Sequence, residues 1–214
     1  MQIAILIFER FTALDAVGPY EVLSRLPGAR VTFVAARAGT LRSDTGMLAL
    51  QADAALADMP APDVVVVPGG PGTRALLADE EVLGWLRAAH ATSTWTTSVC
   101  TGSLLLAAAG LLDGLDATTH WAARDELEAL GARYVPRRVV EQGKLMTGAG
   151  VSAGIDMALT LAAQIAGDEV AQAIQLYIEY DPQPPFDAGS PAKAPAGVLD
   201  LARRAGASEQ VPSG

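Results

Sequence analysis

Thr94-Trp95-Thr96-Thr97-Ser98-Val99-Cys100-Thr101-Gly102-Ser103-Leu104-Leu105-Leu106-Ala107-Ala108-Ala109 is the stretch that decides the fold. Thr94 to Val99 is rich in β-branched residues and reads as a strand. Ser103 to Ala109 reads as a helix, and Cys100-Thr101-Gly102 leaves only a tight turn between them. Strand, nucleophile, helix is the logic of a nucleophile elbow, which exposes one side chain at the top of a sheet. The helix N-terminus beside Cys100 favours a thiolate, and Gly102 lets the turn pack closely. The plainer reading is that a lone cysteine is a small buried hydrophobe.

Working outward, the chain alternates strands and helices. Val64 to Val67 is four β-branched residues, typical of a parallel strand buried on both faces, and it ends in Pro68-Gly69-Gly70-Pro71-Gly72. Ile3 to Phe8 reads as a first strand and Asp15 to Leu26 as a first helix, with Pro19 early in it, where a missing N–H costs little. Arg30 to Ala36 is a second strand, and Thr40 to Leu50 a small hairpin turning at Ser43-Asp44-Thr45-Gly46. Asp79 to Ala91 is a helix whose acidic start suits its dipole. His120 to Leu130 is a further helix. Tyr134-Val135, Val139-Val140 and Leu145-Met146 are short strands, and Gly148-Ala149-Gly150 opens a helical region to Tyr180, notched at Gly167-Asp168. The alternation predicts a three-layer α/β domain with a mostly parallel central sheet. Ligands of such sheets bind beyond the carboxyl ends of the strands, where Gly69-Gly70 and Cys100 fall.

The 214 residues suit one domain: 1–180 as the α/β body and 181–214 as a Pro-rich arm and tail belonging to it. Val198 to Arg204 is expected as a short helix and Ala207 to Gly214 as frayed. Half the residues are hydrophobic and only 18% are charged, which excludes wholesale disorder. A net charge of −9 argues against nucleic acid and against anionic membrane surfaces as partners. One cysteine excludes an intrachain disulfide, and two histidines make a multi-His metal centre unexpected. The N-terminus lacks a basic stretch and its apolar run breaks at Glu9, so no signal peptide is read there. The expectation is a soluble cytoplasmic protein.

Other residues carry two readings each. The Gly69-Gly70 strand end is neither a phosphate loop nor a dinucleotide fingerprint. It either offers backbone N–H groups to a developing anion or is a simple turn. Asp15 is either an N-cap or a proton donor and acceptor for Cys100. His120 is a base, a cap or a surface residue. Thr101 offers a hydroxyl or its backbone N–H to a ligand. Trp121, Ile155 and Phe11 are candidate apolar walls of a substrate pocket. A nucleophilic Cys-His pair would put a His beside the thiol, and Thr101 stands there instead.

As a set these residues resemble the ThiJ/PfpI superfamily, a branch of the class I glutamine amidotransferase-like fold. The resemblance covers Met1 to Tyr180. It rests on Ile3 to Phe8, Asp15-Ala16-Val17-Gly18-Pro19-Tyr20-Glu21, Val67-Pro68-Gly69-Gly70, Ser98-Val99-Cys100-Thr101-Gly102, Thr118-Thr119-His120-Trp121 and Gly148-Ala149-Gly150-Val151-Ser152-Ala153-Gly154-Ile155-Asp156. It implies a flavodoxin-like three-layer sandwich, a homodimer, Cys100 as nucleophile, Asp15 as its acidic partner and Thr101 as an active-site hydroxyl. Oxyanion-type N–H groups would map to Gly70 and Thr101. Within the superfamily, Asp15-Ala16-Val17-Gly18-Pro19, Cys100-Thr101-Gly102 and the Asp181-Pro182-Gln183-Pro184-Pro185-Phe186-Asp187 arm are most similar to the isonitrile hydratases. That implies a hydro-lyase acting on a small molecule through a thioimidate on Cys100, without metal or organic cofactor. Protease-like members have His after the cysteine, and glyoxalase- or deglycase-like members use Glu where this chain has Asp15. A glyoxalase- or deglycase-like activity on α-oxo aldehydes and a non-enzymatic cysteine redox sensor are the alternatives. The few Pro-rich residues after Tyr180 speak against the helix-turn-helix of the family's transcription regulators.

Overall fold

The computed structural model describes residues 1–209. In chain order the elements are β1 (Gln2–Leu6), α1 (Ala13–Leu23), β2 (Arg30–Ala35), β3 (Gly39–Arg42), β4 (Ala49–Ala52), β5 (Ala54–Ala55), β6 (Val64–Val67), α2 (Glu80–Thr92), β7 (Trp95–Val99) and α3 (Gly102–Ala108). They continue with β8 (Asp116–Ala117), α4 (Arg124–Ala129), β9 (Arg133–Tyr134), β10 (Val139–Gln142), β11 (Leu145–Gly148), α5 (Ala153–Ala166), α6 (Asp168–Tyr177) and α7 (Ala196–Glu209).

Seven strands form one sheet in the order β10-β11-β7-β6-β1-β2-β5. Every pair in it is parallel except β10 with β11. Two helical layers flank it: α1 packs on α5 and α5 on α6, while α3 packs on both α2 and α4. Helices on both faces explain why β6 is valine throughout: all four side chains are buried. Each contributes on the order of 1.5–3 kcal/mol of burial. A polar side chain in that strand would have no water to reach.

The expected alternation holds along the sheet, and the hairpin is β3 with β4, standing apart from it. Asp79 caps α2, its carboxylate accepting from Glu81 N–H at 3.0 Å and Val82 N–H at 3.2 Å. Other local expectations change. α1 starts at Ala13, so Pro19 lies inside it rather than in its first turn. An interior proline leaves the carbonyl four residues back, that of Asp15, without its helical donor. The two helices pack closely there: a Cβ on Gly154 of α5 would stand 3.1 Å from Val99 Cγ1 and 3.3 Å from Pro19 Cδ, so glycine eases the approach of α5 to both. The expected helix from His120 splits into a 3-10 turn, Trp121–Ala123, and the short α4. The helix expected at Val198 to Arg204 is longer, because α7 runs through to Glu209. That replaces fraying from Ala207, and residues 210–214 lie outside the described ones. No helix among the described residues is long and apolar enough to cross a membrane.

Candidate active site

Four neighbouring strand ends, those of β1, β6, β7 and β11, build one site. Cys100 directly follows β7 and takes a left-handed backbone, φ 57°. A non-glycine residue held there costs on the order of 1–3 kcal/mol, tolerated only when its surroundings over-determine it. They do so on both sides. Cys100 N–H donates to Ala149 O at 2.8 Å and to Gly148 O at 3.1 Å. Cys100 O accepts from Thr119 Oγ1 at 3.0 Å and from Ser103 Oγ at 3.1 Å. Gly102 then opens α3, where a Cβ would collide with the Val67 carbonyl oxygen of β6. Strand, strained turn and helix therefore stand as the sequence implied.

Asp15 lies in the first turn of α1 and is fully buried. Thr12, not Asp15, occupies the N-cap position, so the capping reading of Asp15 falls. Its Oδ2 accepts the Gly69 N–H at 2.9 Å. Oδ1 is buried with no conventional hydrogen-bond partner, and the carboxyl interacts with the Cys100 thiol. Burial raises the Asp15 pKa from 3.8 to about 7, against the Gly69 N–H and the thiol, which favour the charged form; the Asp44 charge adds to the rise.

The Cys100 thiol is raised as well, and the expected low-pKa thiolate is not what the site holds. Burial is the main cause and the Asp15 charge the next; backbone N–H groups of Val151 and Thr101 oppose them. The magnitudes explain the direction. A helix terminus is worth about 0.3–1 kcal/mol to a nearby charge, whereas full burial shifts a pKa by up to about 3–5 units. Below about pH 7 both groups are neutral; above it the pair carries one negative charge, held on the carboxyl side.

Gly70 was expected as an open donor. Its N–H is instead committed to Thr101 Oγ1 at 2.9 Å. Thr73 Oγ1 lies 3.0 Å from the same hydroxyl and donates to Gly70 O at 2.7 Å. The Thr101 hydroxyl thus ties the β6 loop to the elbow, and no proton on it is aimed at a ligand. Gly70 itself has φ 135°, and a Cβ there would stand 2.5 Å from both Arg10 O and Thr12 N. The backbone donors beside the sulfur are those of Thr101 and Val151. Sequence reasoning missed Val151, whose φ of 29° follows the glycine run after β11. That run was the only available signal.

A cavity of about 200 Å³ opens on Cys100, walled by Gly70, Arg74, Thr101, His120, Val151 and, from α7, Gly206. Arg74 is held by Glu126 through two bonds, at 2.6 and 2.9 Å. His120 Nδ1 accepts the Ala122 N–H at 3.3 Å, which leaves the ring proton on Nε2. Burial and the Arg74 charge lower its pKa, so the ring is neutral near pH 7. Trp121 lines a second cavity, of about 650 Å³, that shares His120 and Val151 with the first. Ile155 and Phe11 line neither. Ile155 packs toward Gly18 of α1, and Phe11 is fully buried in the core. Among the described residues no group of three or more His, Cys, Asp or Glu is placed to hold a metal ion.

Comparison with known proteins agrees with this fold. The family model described as DJ-1/PfpI matches residues 1–164. An isonitrile hydratase of Pseudomonas putida is 49% identical over 204 residues, 95% of this chain and 89% of the relative. The transcriptional regulator CdhR of Pseudomonas aeruginosa is 34% identical over 74% of this chain but only 48% of its own length. A crystal structure of a ThiJ/PfpI family protein from Pseudomonas syringae superposes with a TM-score of 0.93 at 40% identity, over 98% of this chain and 87% of that one. The matched model spans the central sheet together with Asp15 and Cys100: the chain belongs to the DJ-1/PfpI family.

Proposed function

We propose that this protein is an isonitrile hydratase, converting R–N≡C and water to the N-substituted formamide. The buried Asp15 carboxyl against the Cys100 thiol carries the reading. The 49% identity to the Pseudomonas putida isonitrile hydratase names the substrate class. The terminal carbon of an isonitrile accepts a nucleophile and a proton at one atom, and the Cys100–Asp15 pair holds one of each.

In this mechanism Asp15 enters as the carboxylate. It takes the thiol proton as Cys100 Sγ bonds to the isonitrile carbon. The protonated Asp15 returns that proton to the same carbon, leaving the thioimidate R–N=CH–S–Cys100. Water adds to the C=N carbon, giving its proton to nitrogen by way of the carboxylate. The C–S bond then breaks, the hydroxyl becomes the formamide carbonyl, and its proton goes back to sulfur. The sum is one isonitrile and one water to one formamide. Backbone N–H groups of Thr101 and Val151 stabilise charge on sulfur as it comes and goes. General acid–base help of this kind is worth about 10²–10⁴-fold. The reading includes a cytoplasmic homodimer that uses no metal or organic cofactor.

The redox-sensor alternative is less well served: it needs an accessible, low-pKa thiol, and Cys100 is 5% exposed with its pKa raised. The test is turnover of cyclohexyl or p-nitrophenyl isocyanide, with formamide followed by chromatography and Cys100→Ala as control. Cys100-dependent formamide is expected. Formamide made equally by Cys100→Ala would overturn the assignment.

A further inference from the structure

The cavity on Cys100, at about 200 Å³, has room for the isonitrile group and a small R group. Beside it lies the cavity of about 650 Å³, within the usual range for a small-molecule site. The two adjoin at His120 and Val151, so an R group too long for the first cavity is directed past those residues toward the larger space. Its walls include Trp121, Tyr134, Pro136 and Pro191. Arg124 stacks 5.6 Å from the Tyr134 ring centre and steadies that wall.

The charges of this cavity are unlike those of the chain. The protein carries a net charge of −9, yet the ionisable side chains lining the cavity, besides Tyr134 and the neutral His120, are Arg137 and Arg138, with no Asp or Glu. Arg138 is committed: its guanidinium is 2.6 Å from Asp156 Oδ2 and donates to Ser152 Oγ at 3.2 Å. Arg137 differs. No described residue forms a hydrogen bond, ion pair or ring contact with its guanidinium. An uncommitted guanidinium at the rim of an aromatic cavity is a ready partner for a planar anion, which it can hold through two parallel N–H bonds.

We propose that the larger cavity is the R-group subsite and that it selects isonitriles whose apolar or aromatic body ends in a carboxylate, bound by Arg137. This rests on the hydratase reading and narrows it from isonitriles in general to anionic ones. Residues 189–192 of the arm form part of the wall, so the segment after the α/β body shapes specificity.

The experiment compares 3- and 4-isocyanobenzoate with methyl 4-isocyanobenzoate as substrates of the full-length protein and of Arg137→Met. In the wild type, kcat/KM for the better carboxylate should exceed that for the ester by about two- to fivefold, because Arg137 is exposed and a solvent-exposed ion pair is worth at most about 1 kcal/mol. Arg137→Met should bring that ratio close to one, and Arg137→Lys should restore part of it. Equal rates for acid and ester in the wild type, or a preference that survives Arg137→Met, would overturn the proposal and leave the hydratase reading standing. Failure to hydrate any of the three would count against the hydratase reading. Calorimetry of 4-formamidobenzoate on Cys100→Ala would then decide the subsite. Binding tighter than that of its methyl ester, and weakened by adding Arg137→Met, supports it; no discrimination overturns it.

Discussion

Asp15→Asn should make the protein more stable, and only at neutral and alkaline pH. The folded carboxyl titrates near 7 and its ordinary value is 3.8. The gap is about three pKa units, each worth about 1.4 kcal/mol. Between the two values the folded protein keeps a proton that the unfolded chain has released, so stability falls as pH rises. Relative to the fully protonated state this group's stability is intact below about pH 4, drains away between 4 and 7, and is gone above 7. The total is about 4 kcal/mol, a large part of a typical domain's stability. Asparagine carries no charge, and its side-chain oxygen can still accept the Gly69 N–H. Urea unfolding of both proteins at several pH values tests this, since every other titrating group is common to both. The two should have similar free energies near pH 4 and diverge to a few kcal/mol above pH 7, the variant being the more stable. A difference that does not change with pH would refute the buried-carboxyl argument. The same substitution should cost most of the activity, so stability and turnover would move in opposite directions.

Further outcomes follow from the same site. kcat/KM for an isonitrile should rise with pH through about 7, because the mechanism begins from the Asp15 carboxylate; Asp15→Asn should lack that limb along with most of the rate. Alkylation of Cys100 by iodoacetamide should be slow at pH 7 and still accelerating above pH 9, as befits a raised thiol; a plateau below pH 7 would restore the low-pKa expectation. Gly102→Ala should lower stability by several kcal/mol or prevent folding, because its methyl group would meet the Val67 carbonyl on an adjacent strand. A Tm within a degree or two of wild type would contradict that packing.

The order of strands and helices was legible because burial leaves a one-dimensional trace. Four consecutive valines closed by Pro68-Gly69-Gly70 are typical of a strand covered on both faces, and a cysteine between a β-rich run and a leucine run reads as an elbow. What escaped is what depends on proximity in space. The Gly70 N–H looked free in the chain, but the Thr101 hydroxyl, 31 residues away, claims it. Val151 carries no chemistry in its side chain, so only the path of its backbone places its N–H beside the sulfur. The thiolate expectation weighed the helix terminus, which sequence displays, against burial, which it does not. Ile155 sits on the right helix, but α1 takes up its side chain.

The site draws on the ends of β1, β6, β7 and β11, adjacent in the sheet though spread over some 150 residues of chain. No hairpin or single βα unit holds enough of it to survive alone. Fraying of an outlying strand such as β5 should leave activity intact, whereas any opening that parts the four central strands separates Cys100, Asp15 and the Thr101 and Val151 N–H groups together. Loss of activity in denaturant should then coincide with the global transition, and the protection of the Cys100 amide against hydrogen exchange should approach the stability of the whole sheet.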